Sequence, residues 1–246
     1  MAALIGHGGY TEVIYLKQEH LVCVPASVEP GEAVAVVLNY ASAYQMLHRV
    51  ARVENEDKVL ITGASGGMGT ALLDLGRMAG LKMYATASPG KHVVLTSFGA
   101  IPLDYHASNW TETLCQLEPE GLDFIFDGTS HQESDLLALL RQGGKLVAYS
   151  APTGVWSMLA GGVKIAITNL LPNGKSAEFY GITALYLRDK RPFMEDVPRL
   201  FQCLEEGKIH PVISARLPLL EAQKANELLE SGQLAGNIVL LSPELL

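Results

Sequence analysis

The chain has 246 residues, 48% of them hydrophobic, with 24 glycines, enough for one large domain or a domain and a half. A net charge of −8 argues against a nucleic-acid partner, although local basic side chains can still hold one small anion. No apolar run reaches the roughly 18 residues that a membrane span needs, and the longest, Ala33 to Leu47, is broken by Asn39, Ser42 and Gln45.

The start, MAALIGHGGY, has no basic segment followed by an apolar core, so no secretion signal is visible. Cys23, Cys115 and Cys203 are odd in number and lack CxxC spacing. They read as ordinary buried thiols of a reducing compartment, not as disulfides or zinc ligands, which points to the cytoplasm. The seven histidines form no HxxxH or HxH pair, so no protein-bound metal is expected.

In chain order, residues 1–28 read as a β-rich piece: Gly8-Gly9, an alternating strand from Tyr10 to Leu16, then Leu21–Val24 and Pro25. Residues 33–52 predict a helix carrying Tyr44, Leu47 and Val50. From Lys58 to Ser150, short apolar runs alternate with helix-length segments. Strands are predicted at Lys58–Thr62, Lys82–Thr86, Ile101–Leu103, Phe124–Phe126 and Lys145–Tyr149. Helices are predicted at Met68–Met78, His92–Phe98, Thr111–Gln116 and Glu133–Arg141, the first with Ala71, Leu72, Leu75, Met78 and Ala79 on one face. Such alternation predicts an α/β fold with a doubly wound parallel sheet. After Gly154 come a β-like run Glu178–Leu187, a helix Pro192–Glu206, a helix Leu220–Ser231 stopped at Gly232, and a strand Asn237–Leu241.

The strongest chemical signal is Val59-Leu60-Ile61-Thr62-Gly63-Ala64-Ser65-Gly66-Gly67-Met68-Gly69. An apolar strand enters a glycine-rich turn that opens into a helix. Glycines let the backbone approach a pyrophosphate, and the helix N-terminus offers free N–H groups. The motif therefore predicts a dinucleotide site. An NAD site places Asp or Glu at the end of the second strand to hold the ribose diol. Here that strand ends Tyr84-Ala85-Thr86-Ala87-Ser88, with no acid. Lys91 follows on the next helical turn, and Tyr105 lies just after the third strand. A hydroxyl, an ammonium and a phenol suit a 2′-phosphate, so NADPH is the expected cofactor.

Gly8–Glu12 (GGYTE), the Leu38-Asn39-Tyr40 to Ala43-Tyr44 segment, GASGGMG, ATASPGK, the FDG turn at Asp127, RQGGKLV and LLESGQLAGNIVLL together resemble the medium-chain dehydrogenase/reductases. More narrowly they resemble the zinc-free quinone-oxidoreductase branch, which includes zeta-crystallin. The resemblance spans nearly the whole chain and keeps motif order. It implies a Rossmann sheet at 31–208, a remnant of a GroES-like catalytic domain at 1–30, and a return to that domain at 209–246. That β-rich domain would be truncated, lacking its usual N-terminal part. Reduction of quinones, or of the C=C bond of α,β-unsaturated carbonyls, is implied. So are pyrophosphate contacts at Gly66, Gly67, Met68 and Gly69, and 2′-phosphate contacts at Ser88, Lys91 and Tyr105. Thr129, Ser130, Tyr149 and Ser150 would border the adenosine and nicotinamide. Zinc-dependent relatives carry a cysteine ligand where this chain reads Asn39-Tyr40-Ala41-Ser42. The family's glycine closing the fifth strand is here Ser150, and its Gly-Lys before the last strand is Gly236-Asn237.

Two other functions fit parts of the sequence. TGxxxGxG at Thr62–Gly69, with Tyr186 and Lys190 as YxxxK, resembles the short-chain dehydrogenases. The motif lies far from the chain start, however, and Asn173 stands where that family has serine. A nucleotide-binding protein without turnover would need the same binding residues. His131 reads as a loop bystander, and Met158, Met194, Trp110 and Trp156 as packing. No catalytic residue is marked, and the proton would come from solvent or an unmarked side chain. A homodimer is expected through Glu178–Leu187, read as an apolar edge strand with an unpaired side, and the family pairs that strand with its symmetry mate.

Overall fold

The computed structural model describes residues 1–129, 133–150 and 155–245, except for the side chains of 133–135 and 155–158. The chain folds as two compact units. One comprises Met46–Ser65 and Gly76–Tyr180, and the other Met1–Gln45, Gly66–Leu75 and Gly181–Leu246.

The first of these holds a six-stranded sheet in which every pairing is parallel: β1 (Lys58–Ile61), β2 (Lys82–Ala87), β3 (Ile101–Asp104), β4 (Leu122–Asp127), β5 (Leu140–Ala148) and β6 (Ser176–Phe179). The order β3-β2-β1-β4-β5-β6 is that of a doubly wound α/β fold. Val59, Leu60 and Ile61 are all buried, as are Met83 to Ala87. Strands covered on both faces read as continuous apolar runs, which is why the sequence pattern locates β1 to β4 within a residue or two. The fifth strand begins at Leu140, five residues before the predicted Lys145, and the helix predicted to Arg141 ends at Leu139, because Arg141 to Gly143 are exposed and carry no apolar signal.

The helices follow in chain order. Residues 30–51 form α1, which winds as π-helix over Val36–Tyr40 and Gln45–Ala51. Gly67–Met78 is α2, His92–Ser97 α3, Trp110–Leu117 α4, Glu133–Leu139 α5, and Val155–Leu170 α6. Then come α7 (Ile182–Arg188), α8 (Arg191–Glu205) and α9 (Ala222–Glu230). Glu29 caps α1 by accepting from the Gly31 and Glu32 amides, and Pro30 stands at the first helical position. Trp110 lies in the core with Leu60, Leu103 and Leu114, as packing. In the other unit, β7 (Ile213–Pro218) and β8 (Asn237–Leu241) pair in parallel.

Two predicted strands are absent. Tyr10–Leu16 and Leu21–Val24 form no ladder, and the only bridge among the described residues of this segment joins Ala2 to Val22. Tyr10, Val13, Ile14 and Tyr15 are exposed there. Alternation alone does not make a strand when no neighbouring backbone takes up its N–H and C=O groups. The run Glu178–Leu187 also divides. Only Glu178 and Phe179 belong to β6, and the chain is helical from Ile182. Ile182 and Tyr186, four apart, bury one face of that helix, and Ala184, Leu185 and Arg188 favour helix intrinsically. Thr183 therefore carries no ladder bond, although β6 is an edge strand as expected.

One buried charge organises the end of the sheet where β1 and β2 begin. The Glu118 carboxylate receives Lys58 Nζ and Lys82 Nζ, each at 2.6 Å, and the Tyr84 hydroxyl at 2.7 Å. Burial alone would raise its pKa, but these hydrogen bonds outweigh it and hold the carboxyl at about 2. A depressed carboxyl contributes stability above its ordinary value of 4.5 and loses it as pH falls towards about 2. Thermal unfolding of the native chain should therefore weaken through that window, whereas Glu118→Gln should show a flatter acid limb. At neutral pH, Glu118→Gln should cost about 2–4 kcal/mol in urea unfolding, since it leaves two lysines facing a neutral amide.

Candidate nucleotide site

The strand order reverses between β1 and β4, and the carboxyl ends of the strands at such a reversal are where open α/β sheets bind ligands. Thr62, directly after β1, closes those ends together. Its hydroxyl donates to Asp127 Oδ1 and accepts from the Gly128 amide at 3.0 Å. Asp127 Oδ1 also accepts from the Thr129 amide (3.1 Å) and hydroxyl (2.9 Å). The Tyr149 hydroxyl donates to the Thr62 carbonyl at 3.1 Å, and burial, with the Asp127 carboxylate nearby, pushes that phenol well above its usual value. Gly128 is obligatory here: a Cβ would stand 2.4 Å from the Tyr149 oxygen and 2.6 Å from its ring.

Thr129 and Tyr149, predicted to border the cofactor, thus come together at the strand ends, with their hydroxyls engaged in bracing one another's strands. Ser150 is half-buried and Ser130 lies outside the described residues, as does His131.

The turn continues through Gly63, whose φ of +63° favours glycine. It reaches α2, whose first residues are Gly67, Met68 and Gly69. The N–H groups of Met68 and Gly69 have no acceptor among the described residues, and the first bond of the helix runs from Thr70 N to Gly66 O at 2.8 Å. These are the open donors that an anion uses.

Gly67 lacks a side chain for a second reason that the sequence did not reveal. A Cβ there would lie 2.3 Å from Asn237 Oδ1 and 2.6 Å from Asn39 Nδ2. The two asparagines are bonded to each other, Asn39 Nδ2 donating to Asn237 Oδ1 at 2.5 Å. Neither asparagine belongs to a motif, although Gly236-Asn237 departs from the Gly-Lys that the resemblance implies.

At the ends of β2 and β3, Ala87 is paired in register with Asp104. Ser88 and Tyr105 are the next residues on these neighbouring strands. Tyr105 is 45% exposed and stacks on His106 at 4.1 Å between ring centroids. Lys91 closes the short turn Pro89–Lys91 and makes no ion pair among the described residues. The nearest acid in the pairing, Asp104, accepts from the His106 amide at 2.9 Å. The Lys91 amide donates to the Ser88 carbonyl at 2.9 Å, which keeps Lys91 in the turn directly after β2. An ammonium and hydroxyls are the groups that a phosphate monoester takes. No group of three His, Cys, Asp or Glu side chains among the described residues is placed to hold a metal ion.

A family model described as zinc-binding dehydrogenase matches residues 98–240. The chain belongs to this family. It is a zinc-binding dehydrogenase relative within the medium-chain dehydrogenase/reductase superfamily, on the quinone-oxidoreductase branch. It is 31% identical over 157 residues to the synaptic vesicle membrane protein VAT-1 homolog of Danio rerio, matching 63% of this chain and 32% of that protein. Against the human quinone oxidoreductase it is 27% identical over 239 residues, covering 95% of this chain and 69% of the relative. The chain thus spans only about a third of the length of the first and just over two thirds of the second. Among solved structures, a putative NADPH:quinone reductase from Bacillus thuringiensis matches with a TM-score of 0.82 at 17% identity, covering 98% of this chain and 72% of the other. The human VAT-1 homolog-like protein matches at 0.80 and 23%, covering 97% and 70%. At these identities the likeness establishes the fold, that of the family's α/β sheet. No helix among the described residues is long and apolar enough to cross a membrane.

The close approach at Gly67 makes a direct prediction. Gly67→Ala should destabilise the chain by about 1–3 kcal/mol, because the new methyl overlaps two engaged amides. Adding Asn237→Gly in the same chain should recover most of that loss in urea unfolding.

Proposed function

We propose that this chain is an NADPH-dependent oxidoreductase that reduces a quinone or the C=C bond of an α,β-unsaturated carbonyl. The observation that carries this is the glycine-rich turn between β1 and α2 at the strand-order reversal, with the unpaired Lys91 at the end of β2. Relatives named quinone oxidoreductase and solved neighbours named enoyl reductase support the substrate class. One neighbour is titled as complexed with NADPH and another as an NAD-dependent alcohol dehydrogenase. The choice of NADPH therefore rests on Ser88, Lys91 and Tyr105.

NADPH, when bound, supplies a hydride from its nicotinamide ring. Gly66, Gly67, Met68 and Gly69 give the pyrophosphate open N–H groups and the positive end of the α2 dipole. Ser88 and Tyr105 donate hydroxyls to the 2′-phosphate, and Lys91 neutralises it. The Thr62–Asp127–Thr129 network with Tyr149 keeps the strand ends fixed against the dinucleotide, and solvent supplies the proton. No metal takes part in this reading. Cys23 and Cys115 are exposed, not buried as expected, and Cys203 is partly buried; as free thiols the three suit a reducing compartment such as the cytoplasm.

Titrating both nucleotides tests the assignment. NADPH should bind at least about tenfold more tightly than NADH, and Lys91→Ala should cost NADPH about 1.5–3 kcal/mol while leaving NADH unchanged. Equal affinity of the unmutated chain for the two nucleotides would sink the NADPH assignment. NADPH oxidation with a panel of enones and quinones tests turnover. Binding without any oxidation would favour a nucleotide-binding protein that does not turn over.

A second copy of the chain is proposed as its partner, along β6. The outer side of that edge strand pairs with no other strand among the described residues, Phe179 is exposed, and Leu159, Val163 and Ile167 form an exposed apolar stripe on α6. Sedimentation equilibrium at micromolar concentration should give about twice 26.5 kDa, and Phe179→Lys should shift the mass towards the monomer. A mass of 26.5 kDa for the unmutated chain rules the dimer out.

A further inference from the structure

Tyr186 and Lys190, which spell YxxxK, stand in a cluster that the nucleotide reading does not use. Lys190 directly precedes α8, and its Nζ lies 5.8 Å from the centre of the Tyr186 ring. That ring packs edge-on against Phe193 at 5.1 Å between centroids, and its hydroxyl is buried without a partner among the described residues. Against them stands the single helical turn Gln18–His20, where Lys190 Nζ meets His20 Nε2. The same His20 nitrogen lies 3.4 Å from Glu19 Oε1. All four residues belong to one compact unit.

The two contacts of His20 exclude each other. An ammonium only donates, so Nε2 must be a bare acceptor to receive Lys190, and the imidazole proton then sits on Nδ1. A carboxylate only accepts, so Nε2 must carry a proton to pair with Glu19. With His20 neutral, Lys190 holds the ring. With His20 protonated, both ring nitrogens donate and two cations face each other, so Lys190 is driven off while Glu19 gains an ion pair. The Tyr186 hydroxyl offers the released ammonium an acceptor. Burial, with the Glu19 carboxylate nearby, holds that phenol above its usual value, so it stays neutral throughout. The other charges of this turn do not compete: Arg191 pairs with Asp189 at 2.7 Å, and Arg188 acts on the same carboxylate.

Glu19 is the neighbour of His20 in its own turn, whereas Lys190 is 170 residues away. Protonation therefore trades a tie between two segments for one within a single turn. The N-terminal segment 1–28 has few ties of the first kind. Ser27 donates to Glu205 and Tyr10 reaches Asn226 at 3.5 Å, while the bridge from Ala2 to Val22 is internal.

We propose that His20 is a proton-operated latch that fastens the N-terminal segment to the start of α8 through Lys190, closed when the imidazole is neutral and released when it is protonated. The latch does not depend on the nucleotide reading.

Nitrogen NMR of the full chain, isotope-labelled at histidine, reads the closed state. At about pH 8, where a free imidazole is neutral, His20 should be the Nδ1–H tautomer. Lys190→Met should convert it to the Nε2–H tautomer, which serves Glu19. Hydrogen exchange at the Leu21 and Val22 amides, corrected for the intrinsic effect of pH, reads release. Opening should be about tenfold more frequent at about pH 5.5 than at about pH 8, as loss of one charge-assisted hydrogen bond predicts. Glu118 titrates below this range and does not contribute. His20→Gln, whose side-chain oxygen still accepts from Lys190 but does not titrate, should stay closed at both pH values, and Lys190→Met should be open at both. An Nε2–H tautomer in the unmutated chain at about pH 8 overturns the latch. So does equal opening of the unmutated chain at the two pH values. Acid opening that persists in His20→Gln overturns it as well, since another group would then carry the pH dependence.

Discussion

The hydrogen bond between Thr62 and Asp127 is the constraint on which the nucleotide end of the sheet depends. At the reversal of strand order no connection joins β1 to β4, because their connections diverge, so past the last ladder hydrogen bond another tie must hold them side by side. A buried carboxylate accepting from a hydroxyl on the neighbouring strand supplies that tie, and charge-assisted bonds are the stronger kind. The Gly128 and Thr129 amides wrap the same two groups, so the turn after β4 has its shape set by Asp127. Tyr149 adds β5 by reaching over Gly128 to the Thr62 carbonyl. A crevice for a dinucleotide needs open strand ends that nevertheless do not move, and this network gives both.

Charge is distributed to match. A buried ion cluster, Glu118 with Lys58 and Lys82, sits at the opposite ends of β1 and β2. At the carboxyl ends, Asp127 and Asp104 are occupied by neighbouring amides and hydroxyls, and Lys91 makes no ion pair among the described residues. A chain with a net charge of −8 can therefore still receive an anion there, because local donors outweigh a distant, screened excess of acid.

The elements from Lys58 to Ala148 were legible in sequence because parallel strands are short apolar runs and their turns need glycine, both local signals. The strand at Tyr10–Leu16 was misread because alternation marks a half-buried surface only when a neighbouring strand exists. Glu178–Leu187 was misread because Ile, Thr, Tyr and Phe favour strands on average, whereas burial of Ile182 and Tyr186 on one helical face decided otherwise. Ser88 and Tyr105 could be placed because each directly follows a strand. Asn39 with Asn237, and Glu118 with its two lysines, could not. Their partners are remote in sequence, and neither an amide nor a carboxylate carries a motif that announces a pair.

The two ends of the proposed nucleotide grip differ in the physics they use, and that difference makes them separable. An ammonium on a phosphate monoester is a charge interaction, partly exposed at Lys91, so salt weakens it and loss of the 2′-phosphate removes it. The backbone amides of Met68 and Gly69 would hold a pyrophosphate through donors that no side-chain substitution removes, and that contact is blind to the 2′-phosphate. Discrimination between nucleotides can therefore be lost without losing the pyrophosphate contact. Such a close approach demands a bare backbone, and Gly67, where a Cβ would overlap the Asn237 and Asn39 amides, is where this chain meets that demand.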